Sequence, residues 1–358
     1  MKPRLALLLA LLCLCALPAS ASAAGNFANS GLPHASHTDP LAGMKWGIYR
    51  GSLDGIYSAW QNATGVDKRL LSEEALRPLM FWFGAWNQNV FAAQTARQYI
   101  EAEQDGNPNA LVQMAIFRLN PWEGLACATV PSAADVDSYK QWVDNWAQGI
   151  GSARVAMVLQ PDLPFEDCAP DHSPIPAQEV AYAAQVFSAL PHTTVYLDAG
   201  ASDWQGVASM AQMLRASGVR YTRGFALGDT HYTSTASELL YGQKIVRALG
   251  GAGIHSMHFI INTAQNGRPF SYQKYTDEFK SAAPCASRTS THCVTLGIPP
   301  TTKVAAHPAQ DGLTPGEARI AARLCDGYLW FGRPWLPQQK YGFETSLALQ
   351  LAATTPFQ

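Results

Sequence analysis

Two short apolar runs of this chain each end in an aspartate. The first is Ala156-Met157-Val158-Leu159-Gln160-Pro161-Asp162; the second is Thr194-Val195-Tyr196-Leu197-Asp198-Ala199-Gly200. Four or five apolar residues stopped by a turn signal read as a strand buried on both faces. A carboxylate at the C-terminal end of such a strand sits at the mouth of an α/β sheet or barrel, where these folds place their chemistry. Two of them form the minimum kit for glycoside hydrolysis. The alternative for each is an aspartate that only caps a strand.

The elements that must position these carboxylates alternate along the chain. Strand patterns run over 79–83, 111–117, 155–159, 194–197, 221–227, 258–261 and 327–331. Helical patterns run over 70–79, 92–103, 135–150, 176–190, 204–217 and 236–249, with Trp142 and Trp146 four residues apart. Strict alternation of strands and helices implies an α/β fold, a parallel sheet wrapped by helices. About seven strands suit a closed or nearly closed barrel in a single domain over 41–358.

The chain opens Met1-Lys2-Pro3-Arg4, continues apolar from Leu5 to Pro18, and reaches Ala21-Ser22-Ala23. That pattern reads as a secretory signal peptide over 1–23, and residues 24–40 read as a flexible lead-in. No later stretch approaches membrane-spanning length, so a secreted protein with no membrane partner is expected. A formal net charge of −2 argues against nucleic acid as a partner. No His, Cys or carboxylate cluster has ligand spacing, so neither metal nor cofactor is expected. Of seven cysteines, Cys13 and Cys15 belong to the leader. The other five, Cys127, Cys168, Cys285, Cys293 and Cys325, are expected to form disulfides in an oxidising compartment, one being left over. Ten tryptophans and thirteen tyrosines suit both core packing and stacking on sugar faces. A monomer is expected.

Taken together and in this order, the strand-end peptides resemble glycoside hydrolase family 6. The family's E-P-D is matched by Gln160-Pro161-Asp162, and its Y-x-D-A-G-H-x-x-W by the stretch from Tyr196 to Trp204. Its D-T-s-r-N-G is matched from Asn262 to Gly267, its W-C by His292-Cys293, and its T-P-s-T-T by Ile298 to Thr302. Its D-A-F-L-W is matched from Asp326 to Trp330, and its opening by Asp39-Pro40-Leu41-Ala42-Gly43. The resemblance covers about 39 to 350.

It implies a distorted parallel (β/α) barrel of seven strands and a secreted hydrolase cleaving a β-glucan, cellulose-like β-1,4-glucan foremost, with inversion. Asp162 would be the general acid and Asp198 the second carboxylate, which raises the pKa of Asp162 and favours an oxocarbenium-like transition state. Trp204 would stack on the leaving-group side. Trp82 and Trp86 are further sugar platforms, Asn266 and Gly267 shape the cleft floor, and His292 and Trp335 are additional substrate contacts. The family's bridges imply Cys127–Cys168 and a second bridge from Cys293, to Cys325 in preference to Cys285.

The departures are numerous. Ala126 occupies the place of the Asp in the family's R-D-C, Phe117 that of a Tyr, Ala201 that of a His, and Gln160 that of a Glu. His292 stands where the family has a Trp. The segment Phe331-Gly332-Arg333-Pro334-Trp335-Leu336-Pro337 lacks the family's base carboxylate. Asp203, Asp229, Glu123 and Asp198 acting through water remain as base candidates. Loss of the base supports the alternative of a non-catalytic glycan binder derived from such enzymes.

Overall fold

Seven short strands lie side by side in chain order, every neighbouring pair parallel. They are β1 (Phe81–Phe83), β2 (Val112–Ile116), β3 (Val155–Leu159), β4 (Thr193–Asp198), β5 (Gly224–Leu227), β6 (His258–Asn262) and β7 (Cys325–Leu329). The structure, a computed structural model, describes residues 38–53, 55–118, 128–272, 282–332 and 343–357. All of these lie in the compact unit Ala35–Gln358. The leader and most of the lead-in expected at the N-terminus lie outside the described residues.

Alternation within each strand builds two cores. Val155, Met157 and Leu159 of β3 join Val195, Leu197, Phe225, Phe259 and Ile261 in a layer that packs on the helices. Ala156 and Val158 join Ala115, Tyr196, Ala226, Ile260 and Leu329 inside the barrel, with Leu41, Met80 and Phe331. Both faces of the strands are therefore mostly apolar, which is why most of the strands read as apolar runs. The barrel is distorted at the seam between β1 and β7. There Met80 N donates to Trp330 O at 2.9 Å, and Trp82 Nε1 donates to Phe331 O at 2.6 Å. These two bonds stand in place of a ladder.

The helices begin and end for local reasons. Ala133–Ile150 starts at a capping box formed by Ser132 and Asp135. Pro315–Leu324 starts at another, formed by Thr314 and Glu317 with proline in the first turn. Trp142 and Trp146 face each other edge-on at 5.6 Å, and Trp146 packs on Phe83, so this pair is core. Among the described residues no helix is long and apolar enough to cross a membrane.

Boundaries differ from the sequence reading in instructive places. The helix expected over 70–79 runs Gly65–Ala75, because Arg77 precedes Pro78 and a residue before proline avoids helical angles. The helix expected from 204 starts at Val207, since Asp203 and Trp204 are held in a turn by partners on other loops. The last strand starts at Cys325 rather than 327 and includes Asp326. That carboxylate is tolerated in a buried strand because it is fully engaged at the barrel floor. It takes Arg223 Nε at 2.8 Å and Nη2 at 2.9 Å, Tyr196 Oη at 2.7 Å and His258 Nδ1 at 3.0 Å. Burial pushes Asp326 up, but Arg223 and His258 outweigh it and hold the carboxyl below its usual value.

Glu103, Glu166 and Glu179 are withdrawn from water without a cation bonded to them. Glu103 accepts from Gln113 N at 3.0 Å, Glu166 accepts from Ser217 Oγ at 2.9 Å, and both oxygens of Glu179 are buried without a hydrogen bond. Burial raises each of them to about 8. A folded pKa above the unfolded value contributes stability that is complete at low pH and is lost as pH rises through the folded pKa. The urea midpoint is therefore expected to be higher at pH 5 than at pH 8.5, and Glu103→Gln is expected to narrow that gap.

Candidate active site

The segment after β3 turns sharply before it reaches the acid. Gln160 and Asp162 both adopt left-handed backbone angles, with φ of 56° and 62°. Two non-glycine residues in that region, either side of a proline, mark stored strain of the kind found at functional sites. Gln160 is fully buried and accepts from Arg118 N at 3.2 Å, which ties this turn to the end of β2. Asp162 then opens the short 3-10 turn Leu163–Cys168. Its carboxylate is half-buried and accepts a hydrogen bond from Thr230 Oγ1 at 3.0 Å.

Asp198 ends β4 on the same inward face as Tyr196 and is wholly buried. Gly200, at φ 59°, turns the chain directly behind it and donates its N–H to Asp198 Oδ2 at 3.1 Å. A Cβ at this glycine would meet Pro164 at 2.9 Å and Trp204 at 3.3 Å, so the position needs glycine. Burial first, and then the charge of Asp162, push Asp198 well above the usual carboxylate range. The N–H groups of Gly200, Leu163 and Ala199 oppose this without reversing it. Oδ1 of Asp198 is buried with no hydrogen-bond partner, which suits a carboxyl that keeps its proton. The charge of Asp162 is thus felt at Asp198, as expected for two carboxyls that share one mouth.

Three loops converge beside this pair. Asp203, after β4, receives His231 Nδ1 on Oδ1 at 2.6 Å and Tyr272 N on Oδ2 at 2.7 Å. Burial would raise Asp203, but the bond and charge of His231 and the N–H of Tyr272 hold it below its usual value. The His231 ring stacks on Trp204 at 4.8 Å and on Tyr272 at 4.6 Å, with interplanar angles of 6° and 18°. Phe165 meets Trp204 edge-on at 5.3 Å. Asn262, the last residue of β6, donates to Gly228 O at 3.1 Å and Asp229 O at 3.0 Å. It accepts from the N–H groups of Ala264, Phe331 and Gly332 at 3.1, 3.2 and 3.1 Å. One buried amide thus joins the ends of β5, β6 and β7.

A site with paired strand-end carboxylates beside a tryptophan invites comparison with known proteins. The family profile described as Glycosyl hydrolases family 6 matches residues 49–312. The chain belongs to that family. It is 34% identical over 215 residues to Endoglucanase A of Cellulomonas fimi, covering 59% of this chain and 44% of that protein. It is 30% identical over 265 residues to Endoglucanase 1 of Streptomyces halstedii, covering 71% of this chain and 77% of that one. It is also similar to the endoglucanase Cel6 from Mycobacterium tuberculosis, solved in complex with methyl-cellobiosyl-4-deoxy-4-thio-β-D-cellobioside. That likeness has 26% identity and a TM-score of 0.66, over 88% of this chain and 98% of that chain. The chain therefore spans under half the length of the Cellulomonas relative and most of the other two.

Within this family 6 barrel the remaining candidates fall in different places. Trp82 faces the barrel interior, near Phe117, and is anchored by its bond to Phe331 O. Trp86 lies beyond the end of β1 and is 59% exposed. Asn266 is buried and its amide donates to Thr233 O at 3.0 Å and Thr235 Oγ1 at 3.4 Å. It braces two loops of the protein and does not offer that amide to a ligand. Asp229 is 1% exposed directly after β5. His292 is an exposed turn residue with φ 56° on a disulfide loop. Asp203, a base candidate, accepts from His231 on one oxygen and from Tyr272 N on the other. Trp335, Cys127, Glu123, Ala126 and Arg333 lie outside the described residues.

The cysteine expectation also needs correction. Cys293 is bonded to Cys285, eight residues away, and Cys325 is a buried free thiol. The bridge to Cys325 is excluded because that residue opens β7 and packs into the layer beneath the helices, whereas Cys285 and Cys293 face each other across one short loop. Cys168 is disulfide-bonded.

Sequence reasoning missed three residues that hold the site together: His231, Asn262 and Glu238. Glu238 is wholly buried and accepts from Ser202 N at 2.9 Å, from Ser202 Oγ at 2.8 Å and from Thr233 Oγ1. None lies in a spacing that announces its partners. The one available signal was Asn262 itself, standing where the family motif has Asp; its two N–H donors face two carbonyls that a carboxylate would repel. Asn262→Leu is expected to lower unfolding free energy by about 3 kcal/mol in urea titrations, because it leaves five buried backbone groups without their partner.

Proposed function

We propose that this protein is a secreted hydrolase of a β-1,4-linked glucan that acts with inversion, Asp162 being the general acid. The observation that carries this reading is the placement of Asp162 and Asp198 at the ends of β3 and β4 of a family 6 barrel, the charge of Asp162 helping to raise Asp198. An acid catalyst must still be protonated when the leaving oxygen arrives, and a neighbouring carboxylate favours the protonated form of the acid by repulsion. With the proton on Asp162, Asp198 carries the negative charge that favours an oxocarbenium-like transition state. Once Asp162 has given up its proton, two adjacent charges repel, which draws a proton back from solvent and resets the acid.

The family's other functions are distributed over Trp82 and Trp204 as surfaces for sugar faces. The relatives named above are endoglucanases, and the Mycobacterium structure holds a thio-linked cello-oligosaccharide; both support a β-1,4-glucan as substrate. Export is supported by the leader pattern over 1–23 and by the Cys285–Cys293 disulfide. The binder alternative is weaker, since the relatives named above at 30% identity or more are endoglucanases.

The deciding experiment is reducing-sugar release from a β-glucan panel by wild type and Asp162→Asn. Release from 1,4-linked glucan by wild type, falling about 100-fold or more in the variant, is expected. No release by either, with retained glycan binding, would overturn the reading. Proton NMR of fresh digests is expected to show the α-anomer first; an initial β-anomer would exclude inversion. Asp198→Asn removes the partner charge that retains the proton, so the alkaline limb of kcat/KM is expected to move to lower pH.

A further inference from the structure

We infer that Asp203, His231 and Thr230 form a positioning relay that aims the acid Asp162 at the leaving group held on Trp204. This inference rests on the reading of Asp162 as the acid. The loop after β5 is pinned on both sides of Thr230. Asn262 holds Gly228 O and Asp229 O, and Phe270 N donates to Tyr232 O at 3.0 Å. Between these anchors His231 is held in every direction. Asp203 fixes its Nδ1 at 2.6 Å, and Trp204 and Tyr272 fix its two faces. These anchors place the Thr230 backbone, and its hydroxyl donates to Asp162 Oδ1 at 3.0 Å.

The relay has a chemical purpose. A carboxyl that rotates freely delivers its proton along many directions, and misplacement by about 1 Å can cost on the order of 100-fold in rate. Thr230 engages one named oxygen of Asp162 and so fixes the plane of the carboxyl. The same imidazole sets the tilt of Trp204. Acid and platform are therefore aligned through one ring, and a leaving sugar stacked on Trp204 arrives in register with the proton it needs. Nothing in the motifs of the chain points to His231 in this role. It emerges only from the bond by which Asp203 orients it. His231, Asp203 and Thr230 are positioning residues.

The test separates acid alignment from general damage by varying the leaving group. Departure of 2,4-dinitrophenolate needs little protonation, whereas departure of a sugar alcohol needs a well-placed acid. Thr230→Val, Asp203→Asn and His231→Phe are compared with wild type on carboxymethylcellulose and on 2,4-dinitrophenyl β-cellobioside. Losses in kcat of about tenfold on the polymer, with less than about twofold on the aryl glycoside, are expected for all three. Equal losses on both substrates, or a change confined to KM, would overturn the relay. Thr230→Val removes a single hydroxyl and carries the comparison should either of the others fold poorly. Wild type inactive on both substrates would refute the proposed function. The relay is then read from carbon-13 titration of the Asp162 carboxyl, assigned with Asp162→Asn. Loss of the Thr230 donor must raise the midpoint, with Asp198 still facing the group. Asp203→Asn and His231→Phe must move it the same way; a titration unmoved by either would overturn the relay.

Discussion

The side chain of Asn262 makes five hydrogen bonds at the point where β5, β6 and β7 end. A parallel sheet satisfies its backbone within the strands, but each strand must leave the sheet, and the groups at its exit need partners. Water normally serves. Here the exits of three strands lie beneath the loops that form the site, away from solvent. One amide, with two donors and an oxygen that takes several N–H groups, is the compact solution. It places the Gly228–Tyr232 loop, and through Thr230 and His231 that loop reaches Asp162 and Trp204. The geometry of the acid therefore depends on a residue that touches no substrate.

The barrel separates its polar chemistry into two ends. At the floor, Asp326 is surrounded by Arg223, His258 and Tyr196 and stays ionised. At the mouth, burial and the neighbouring Asp162 push Asp198 well above the usual carboxylate range. Both aspartates are buried in strands of one sheet. Partners decide the difference, since a buried carboxyl ionises only when donors and cations replace the lost water. The same rule explains Asp203, buried beside His231 and held ionised.

Several departures from the family 6 motifs lie in loops at the mouth. The Glu of the acid motif is Gln160, now an acceptor for the end of β2. The His after the Asp-Ala-Gly turn is Ala201, fully buried, while two residues later Asp203 gathers His231 and Tyr272. The second disulfide closes its own short loop instead of reaching β7.

The chain by itself determined the strands and their order, because seven apolar runs buried on both faces cannot be satisfied except as a wrapped parallel sheet. It also determined the two strand-end aspartates, since a carboxylate that ends such a run must lie at the mouth. Even Trp142 and Trp146 were legible as one helix face. What only the tertiary structure decided was how the mouth is wired. Asp203 bonds to a histidine 28 positions away, Asn262 to a loop 33 and 34 positions before it and to another 69 and 70 positions after it, and Cys293 to Cys285 in preference to Cys325. These pairings follow from where loops of different strands meet in space. A polar side chain carries no periodicity that names its partner, whereas an apolar one reveals its face simply by recurring.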